Sequence, residues 1–302
     1  MKRKVRRDTE KILILFLLAG GMLIGCGSPR ILTDYKQEAL EATATGNAGQ
    51  ALDAWQSYFN QKLETEEDVE GATYAQAAKT AFEAGEEELA VSWFDQARYR
   101  NYADEEMYAA LADIFRGQDN LSKELNALEY YRDHFKEDIE AVNERLFSIY
   151  HEIEMHKKAL DAWKLLPEKK MQKEENLEKY FFIHQEMDHP EICDSVSLEL
   201  LEINPEHIGA LEWNAKKYYW MAENRYQREM EAYNNNKTRR QYRLLLKELD
   251  KSTADYKKSL GYFEKLWDLN NEARKAYAAY LATIHARFND KQKANHYKEF
   301  LD

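Results

Sequence analysis

Proline is nearly missing from this 302-residue chain, with four, cysteine is rarer still, with two, and glycine numbers only 11. So few breakers exclude collagen-like and low-complexity chains, and two cysteines exclude a scaffold stapled by several disulfides. Valine is also scarce, at five, against an abundance of Leu, Ala, Glu and Lys. A chain rich in helix formers and poor in the β-branched residues that fill strands is predicted to be all-α. No apolar run reaches the roughly 20 residues that span a bilayer; the longest, Ile12 to Ile24, has 13.

Chemical motifs are missing as well. The chain has no phosphate loop, no Gly-x-Ser-x-Gly and no Cys-x-x-Cys. His151 and His156 stand five apart, as do His184 and His189, so each pair is turned about 140° around a helix, whereas the zinc-protease helix needs four. Neither a metal, a cofactor nor an enzymatic activity is expected. Positive charge is in short supply too: 43 basic against 55 acidic residues, a net charge of −12, the wrong balance for a nucleic-acid binder.

What is present begins with an address. Lys2, Arg3, Lys4, Arg6 and Arg7 precede the apolar run, which closes on Leu23-Ile24-Gly25-Cys26. A basic start followed by a short apolar core reads as a secretory signal over residues 1–25. Leu-Ile-Gly-Cys resembles the lipobox of bacterial lipoproteins, which implies cleavage before Cys26, acylation of its thiol and a short linker over 26–31. Gly27 in second place, where inner-membrane retention in that family uses Asp, implies the periplasmic face of the outer membrane. Loss of residues 1–25 removes six basic and two acidic residues, taking the net charge from −12 to −16. Cys193 is then the one cysteine not carrying lipid, and no intramolecular disulfide can form.

Residues 32–302 repeat at about 34 residues, with units near 32, 71, 105, 140, 174, 208 and 275. The second unit is clearest: Tyr74, Ala77, Ala78 and Ala81 on a first helix, Gly85 at a turn, and Ala90, Phe94 and Ala97 on a second. This resembles the tetratricopeptide repeat, with its aromatic fourth place, small eighth and twentieth places and apolar twenty-fourth and twenty-seventh. Ala51, Ala90, Ala159 and Cys193 fill the twentieth column, and Trp55, Phe94, Leu128 and Trp163 the twenty-fourth. A small residue is wanted where paired helices cross most closely, which makes Cys193 a buried packing residue. Glu124 departs from that column, and Phe147 and Phe181 depart from the small eighth place. The resemblance implies a right-handed α-solenoid, because one helical pair cannot bury its apolar face alone.

Leu211 and Leu266 lie 55 residues apart where the repeat would separate them by 23. With no Pro or Gly between 210 and 260 and one turn signal, Asn234-Asn235-Asn236, the inserted residues are predicted to form an antiparallel helical hairpin over about 219–255, projecting roughly 24 Å. Its tip carries Lys237, Arg239, Arg240, Arg243 and Lys247 beside Tyr242 and Leu244 to Leu246. In an acidic protein that cluster suits an acidic partner or an anionic lipid surface.

In the repeat family, partners lie along a groove lined by the first helices. Those places correspond here to Lys79 and Phe82, Asp113 and Arg116, Glu144 and His151, Phe182 and Gln185, and Lys216 and Tyr219, with Phe82, Phe182 and Tyr219 as aromatic anchors. The expectation is a non-enzymatic, membrane-tethered scaffold of the bacterial cell envelope holding envelope proteins, broadly similar to periplasmic repeat lipoproteins. A second expectation is a receptor for a small peptide or glycan stacked on the groove aromatics. The last unit, from about Lys275 to Asp302, shows no further polar helix, so its face is open to a homodimer contact.

Overall fold

A computed structural model of the chain describes residues 34–301. The signal segment, Cys26 and the linker to residue 31 lie outside the described residues. Every regular element among those described is helical. None of these helices is long and apolar enough to cross a membrane.

The chain divides into two compact units. The first holds α1, Tyr35–Ala44, and α2, Ala48–Glu64. They pack through Ala39, Ala42, Ala51, Ala54 and Trp55. The second, from Glu70 onward, is an α-solenoid of successive helical pairs. Its elements are α3 Gly71–Glu83, α4 Glu87–Tyr99, α5 Glu105–Gly117, α6 Leu121–His134, α7 Ile139–Glu152 and α8 His156–Trp163. A single turn, α9 Glu168–Met171, precedes α10 Glu174–Glu186, α11 Pro190–Ile203, α12 Ile208–Asn235, α13 Arg239–Leu269, α14 Arg274–Arg287 and α15 Lys291–Lys298.

The pairs close by a common device. Gly85, Asp119, Glu154 and Asp188 each sit in the left-handed region at the turn between two helices. The next amide then reaches back across the helix end: Glu86 N donates to Ala81 O at 2.8 Å, Asn120 N to Phe115 O at 2.8 Å, Met155 N to Tyr150 O at 2.8 Å and His189 N to His184 O at 2.9 Å. This closure satisfies carbonyls that a helix end leaves open. Of these four, Gly85 alone has no Cβ to oppose the conformation, and Gly46 does the same between α1 and α2. Several following helices are capped by side chains, Asp104 accepting from Met107 N at 2.8 Å and Asn120 from Lys123 N at 3.2 Å.

Small residues then set the crossings. Ala77, Ala78 and Ala81 on α3 face Ala90, Phe94 and Ala97 on α4, all fully buried. Cys193 fills the same role on α11, fully buried. Burial pushes its thiol up to about 11. The large residues in small columns are absorbed by rings: Phe147 packs on Trp163 at 5.2 Å and Phe181 edge-on to Trp213 at 5.8 Å. Glu124, 1% exposed, is absorbed by charge. Its carboxylate accepts from Arg116 Nε at 2.9 Å and from Arg145 Nε and Nη2 at 2.6 and 2.7 Å, tying α5, α6 and α7 together.

Helices α12 and α13 have 28 and 31 residues, about 42 and 46 Å long, and form the antiparallel hairpin. Their turn lacks the left-handed closure. Instead Asn236 N donates to Ala232 O and Tyr233 O, and the Thr238 side chain caps α13 at Gln241 N. Leu245, Ser252 and Tyr256 are buried along the arms, and Arg225 bridges to Asp255 at 2.5 Å. At the base, Glu223 accepts from Arg287 Nη2 and Nε at 2.5 and 3.2 Å and from the Tyr256 hydroxyl. One carboxylate thereby joins α12, α13 and α14. Below it Leu211, Ala215, Phe263, Leu266, Tyr277, Leu281 and Ile284 form a continuous core.

Candidate partner-binding site

First helices pack on first helices, α3 against α5 and α7 against α10, so the side chains they leave exposed form one face. The sequence-derived groove residues behave differently along it. Lys79 donates to Asp104 at 2.9 Å and Glu106 at 2.5 Å. Burial alone would lower its pKa, but the two carboxylates raise it. Arg116 bridges Asp113 at 3.3 Å as well as Glu124. Glu144 accepts from Lys170 at 2.5 Å, Lys173 at 2.7 Å and Asn176 at 2.9 Å. Its burial opposes ionisation, yet these three donors hold the carboxyl at about 2. Lys79, Arg116 and Glu144 are therefore engaged in clamps between helices, while Phe82 is half-buried and Asp113 exposed.

The surface opens around α10 and α12. Phe182 is 42% exposed and meets the ring of His151 edge-on at 5.3 Å. Burial lowers the pKa of that imidazole, and Lys179 and His156 add to the effect, which favours its neutral form. Gln185 and Lys216 come together on a cavity of about 340 Å³, whose other walls are Gly209, Glu212, Trp213, Lys217 and Trp220. Trp213 Nε1 donates to Asp194 at 2.9 Å and Lys217 bridges the same carboxylate at 2.7 Å, fixing the cavity floor. Lys216 pairs with Glu212 at 3.0 Å.

Tyr219 is not part of this surface. It is 8% exposed and packs against Trp220, Tyr256 and Tyr280, with Tyr280 edge-on at 4.8 Å. The hairpin explains the correction: α13 and α14 bring Tyr256 and Tyr280 onto the face of α12 that would otherwise be open. The exposed aromatic is the next residue, Trp220, at 51%. A one-residue step in register was the only sequence signal that could have found it.

A second surface lies at the hairpin tip. Lys237, Arg239, Arg240 and Arg243 are exposed. None of the four forms an ion pair among the described residues. Lys237, Arg239 and Arg243 line a cavity of about 620 Å³ with Tyr233, Thr238 and Tyr242, whereas Arg240 does not reach it. Residues 232–247 contain five basic side chains and no acidic one. Among the described residues no three of His, Cys, Asp or Glu are grouped to hold a metal. His184 meets His189, Nδ1 to Nδ1 at 2.9 Å, and the Tyr180 ring edge-on at 4.3 Å.

No family model and no curated protein matches the chain. Among solved structures it is similar to a TPR repeats protein from Bacteroides fragilis, at 16% identity over 83% of this chain and 96% of that one, with a TM-score of 0.33. It is similar also to the C-terminal part of a TPR repeat-containing protein from Cytophaga hutchinsonii, at 16% identity over 88% of this chain and 80% of that one, with a TM-score of 0.34.

Proposed function

We propose that this chain is a non-enzymatic docking protein of the bacterial cell envelope, tethered by lipid on Cys26 at the periplasmic face of the outer membrane, that holds a protein partner on its first-helix face. The observation that carries the reading is Trp220 standing half out of the surface beside a cavity that it shares with Trp213, Gln185 and Lys216. Large exposed aromatics beside a recess are the residues from which interfaces draw most of their energy. Phe182 extends the same patch. The tip residues Lys237, Arg239, Arg240 and Arg243 supply a second contact for an acidic surface, reached at long range because a cationic patch on an acidic protein steers association.

The test is affinity capture of the lipidated protein from native membranes, quantified by mass spectrometry beside Phe182→Ala/Trp220→Ala, Arg239→Glu/Arg240→Glu/Arg243→Glu and Cys26→Ala. The expected result is a stoichiometric envelope protein that disappears with the aromatic pair, is weakened by the tip variant, and is found in the soluble fraction with Cys26→Ala. Capture unchanged by the aromatic pair would overturn the docking role of this face. The two tryptophans on one cavity also favour a second reading, a receptor for a short peptide or glycan. A change of tryptophan fluorescence on titration with such ligands, absent in Trp220→Ala, would select it.

A further inference from the structure

The second helices carry a groove separate from both surfaces above. Between α11 and α13 lies a cavity of about 610 Å³ whose floor is Leu198, Leu201 and Leu211 and whose α13 wall carries Lys257, Lys258 and Lys265. Glu202 is the single acid on its lining. Lys265 is spent on the carbonyl of Pro205 at 2.6 Å. Lys258 lies over the Tyr218 ring at 4.7 Å, and neither it nor Lys257 has a carboxylate partner among the described residues. Leu198, although apolar, is 45% exposed.

Gly261, the one glycine of α13, lines the same groove. A glycine inside a helix weakens it relative to alanine, so its presence calls for a steric or conformational reason. The fold supplies neither: the backbone there is ordinary helix, and an added Cβ would meet nothing within 4 Å. At Ala90, Ala159 and Cys193 a small residue in a second helix marks a close crossing and is fully buried. Helix α13 already has such a residue for its crossing with α12, Ser259, whose Oγ donates to Ala215 O at 2.8 Å. Gly261 is two residues further on, about 200° round the helix, and faces away from α12.

We propose that Gly261 is the crossing point for an acidic amphipathic helix of a partner protein, seated in the α11–α13 groove with apolar side chains on Leu198 and Leu201 and carboxylates toward Lys257 and Lys258. A missing Cβ lets a helical backbone approach closely, and an apolar stripe laid in a groove between helices is an established way of reading a helix. The two uncompensated lysines select an acidic flank over a basic one. This surface is independent of Trp220 and of the hairpin tip.

The probe is a pair of fluorescent 18-residue helical peptides, each with a Leu and Ala stripe, one carrying Glu and the other Lys at the remaining positions, followed by anisotropy on the full chain. The Glu peptide is expected to bind and the Lys peptide not. Binding should weaken at least tenfold in Gly261→Phe, which fills the groove, and in Lys257→Glu/Lys258→Glu, which changes only exposed side chains. If Gly261→Phe loses helical circular dichroism, the lysine pair alone decides. Equal binding of both peptides, affinity unchanged in the lysine variant, or loss in Arg239→Glu/Arg240→Glu/Arg243→Glu instead would overturn the proposal. So would a dimer of the chain that Gly261→Phe dissociates, since the occupant would then be a second copy.

Discussion

Glu124 occupies a place where the repeat pattern asks for a small side chain, and two arginines make it tolerable there. A buried carboxylate is costly unless it is paired and hydrogen-bonded. Arg145 and Arg116 supply three N–H donors at 2.6 to 2.9 Å. Burial would raise the Glu124 pKa, but these bonds hold it lowered. Glu124→Ala removes both bridges and leaves a void between three helices. Because both guanidinium groups reach solvent, the expected cost is about 2 kcal/mol, read as a fall in the urea midpoint; a change below half of that would mean the clamp adds little. Arg116 and Arg145 lie 8 and 21 residues from Glu124, each on a different helix, which is why the pattern could mark the departure but not its compensation. Glu144 gives the matching pH signature. Its carboxyl titrates near 4.5 in a free chain and at about 2 in the fold, so its bridges contribute fully above about 4.5 and are lost as pH falls toward 2. Thermal unfolding of the wild type should lose stability over that window relative to Glu144→Gln; parallel curves for the two proteins would rule the bridge out as the cause.

At the scale of elements, the helical pairs are legible because two local signals agree. Small residues recur where helices cross, and turn-tolerant residues recur where the chain reverses, with Gly85, Asp119 and Asp188 in left-handed conformation. The hairpin is legible because residues 210–260 hold no breaker, leaving continuous helix as the simplest course. The exposed face of α12 was not legible: whether Tyr219 or Trp220 meets solvent is decided by Tyr256 and Tyr280, distant in sequence and delivered by α13 and α14. The outer half of the hairpin has little core of its own. Around Leu245 the buried side chains thin out, and the nearest interior ones are Ser252 and Tyr256. Leu245→Ala should therefore cause local opening rather than global unfolding. Hydrogen exchange is expected to accelerate in residues 232–250 by about tenfold or more, while α14 keeps its protection. Acceleration spread equally through α14 would mean that the hairpin and the core below it open as one.

For the solenoid from Glu70 onward, each helical pair packs chiefly on the next pair along the chain. Stability in such an array is a sum of pair terms and neighbour interfaces, so damage stays near where it is made. At one end of this array lies the alanine-lined crossing of α3 and α4, where Phe94 is the large fully buried residue. At the other, Glu223 and its partners lock three helices over an aromatic core. Phe94→Ala should cost about 3–5 kcal/mol locally. If the neighbour coupling between α4, α5 and α6 is weaker than that, α3 and α4 unfold first and the urea transition splits in two, with Trp93 on α4 reporting the first step and Trp213, Trp220 and Trp267 the later one. A single transition shifted as a whole would show coupling strong enough to make the array one cooperative body. That outcome has a functional corollary, because a partner bound at Trp220 would then stabilise α3 and α4 as much as α12, and occupancy at one end of the solenoid would be felt at the other.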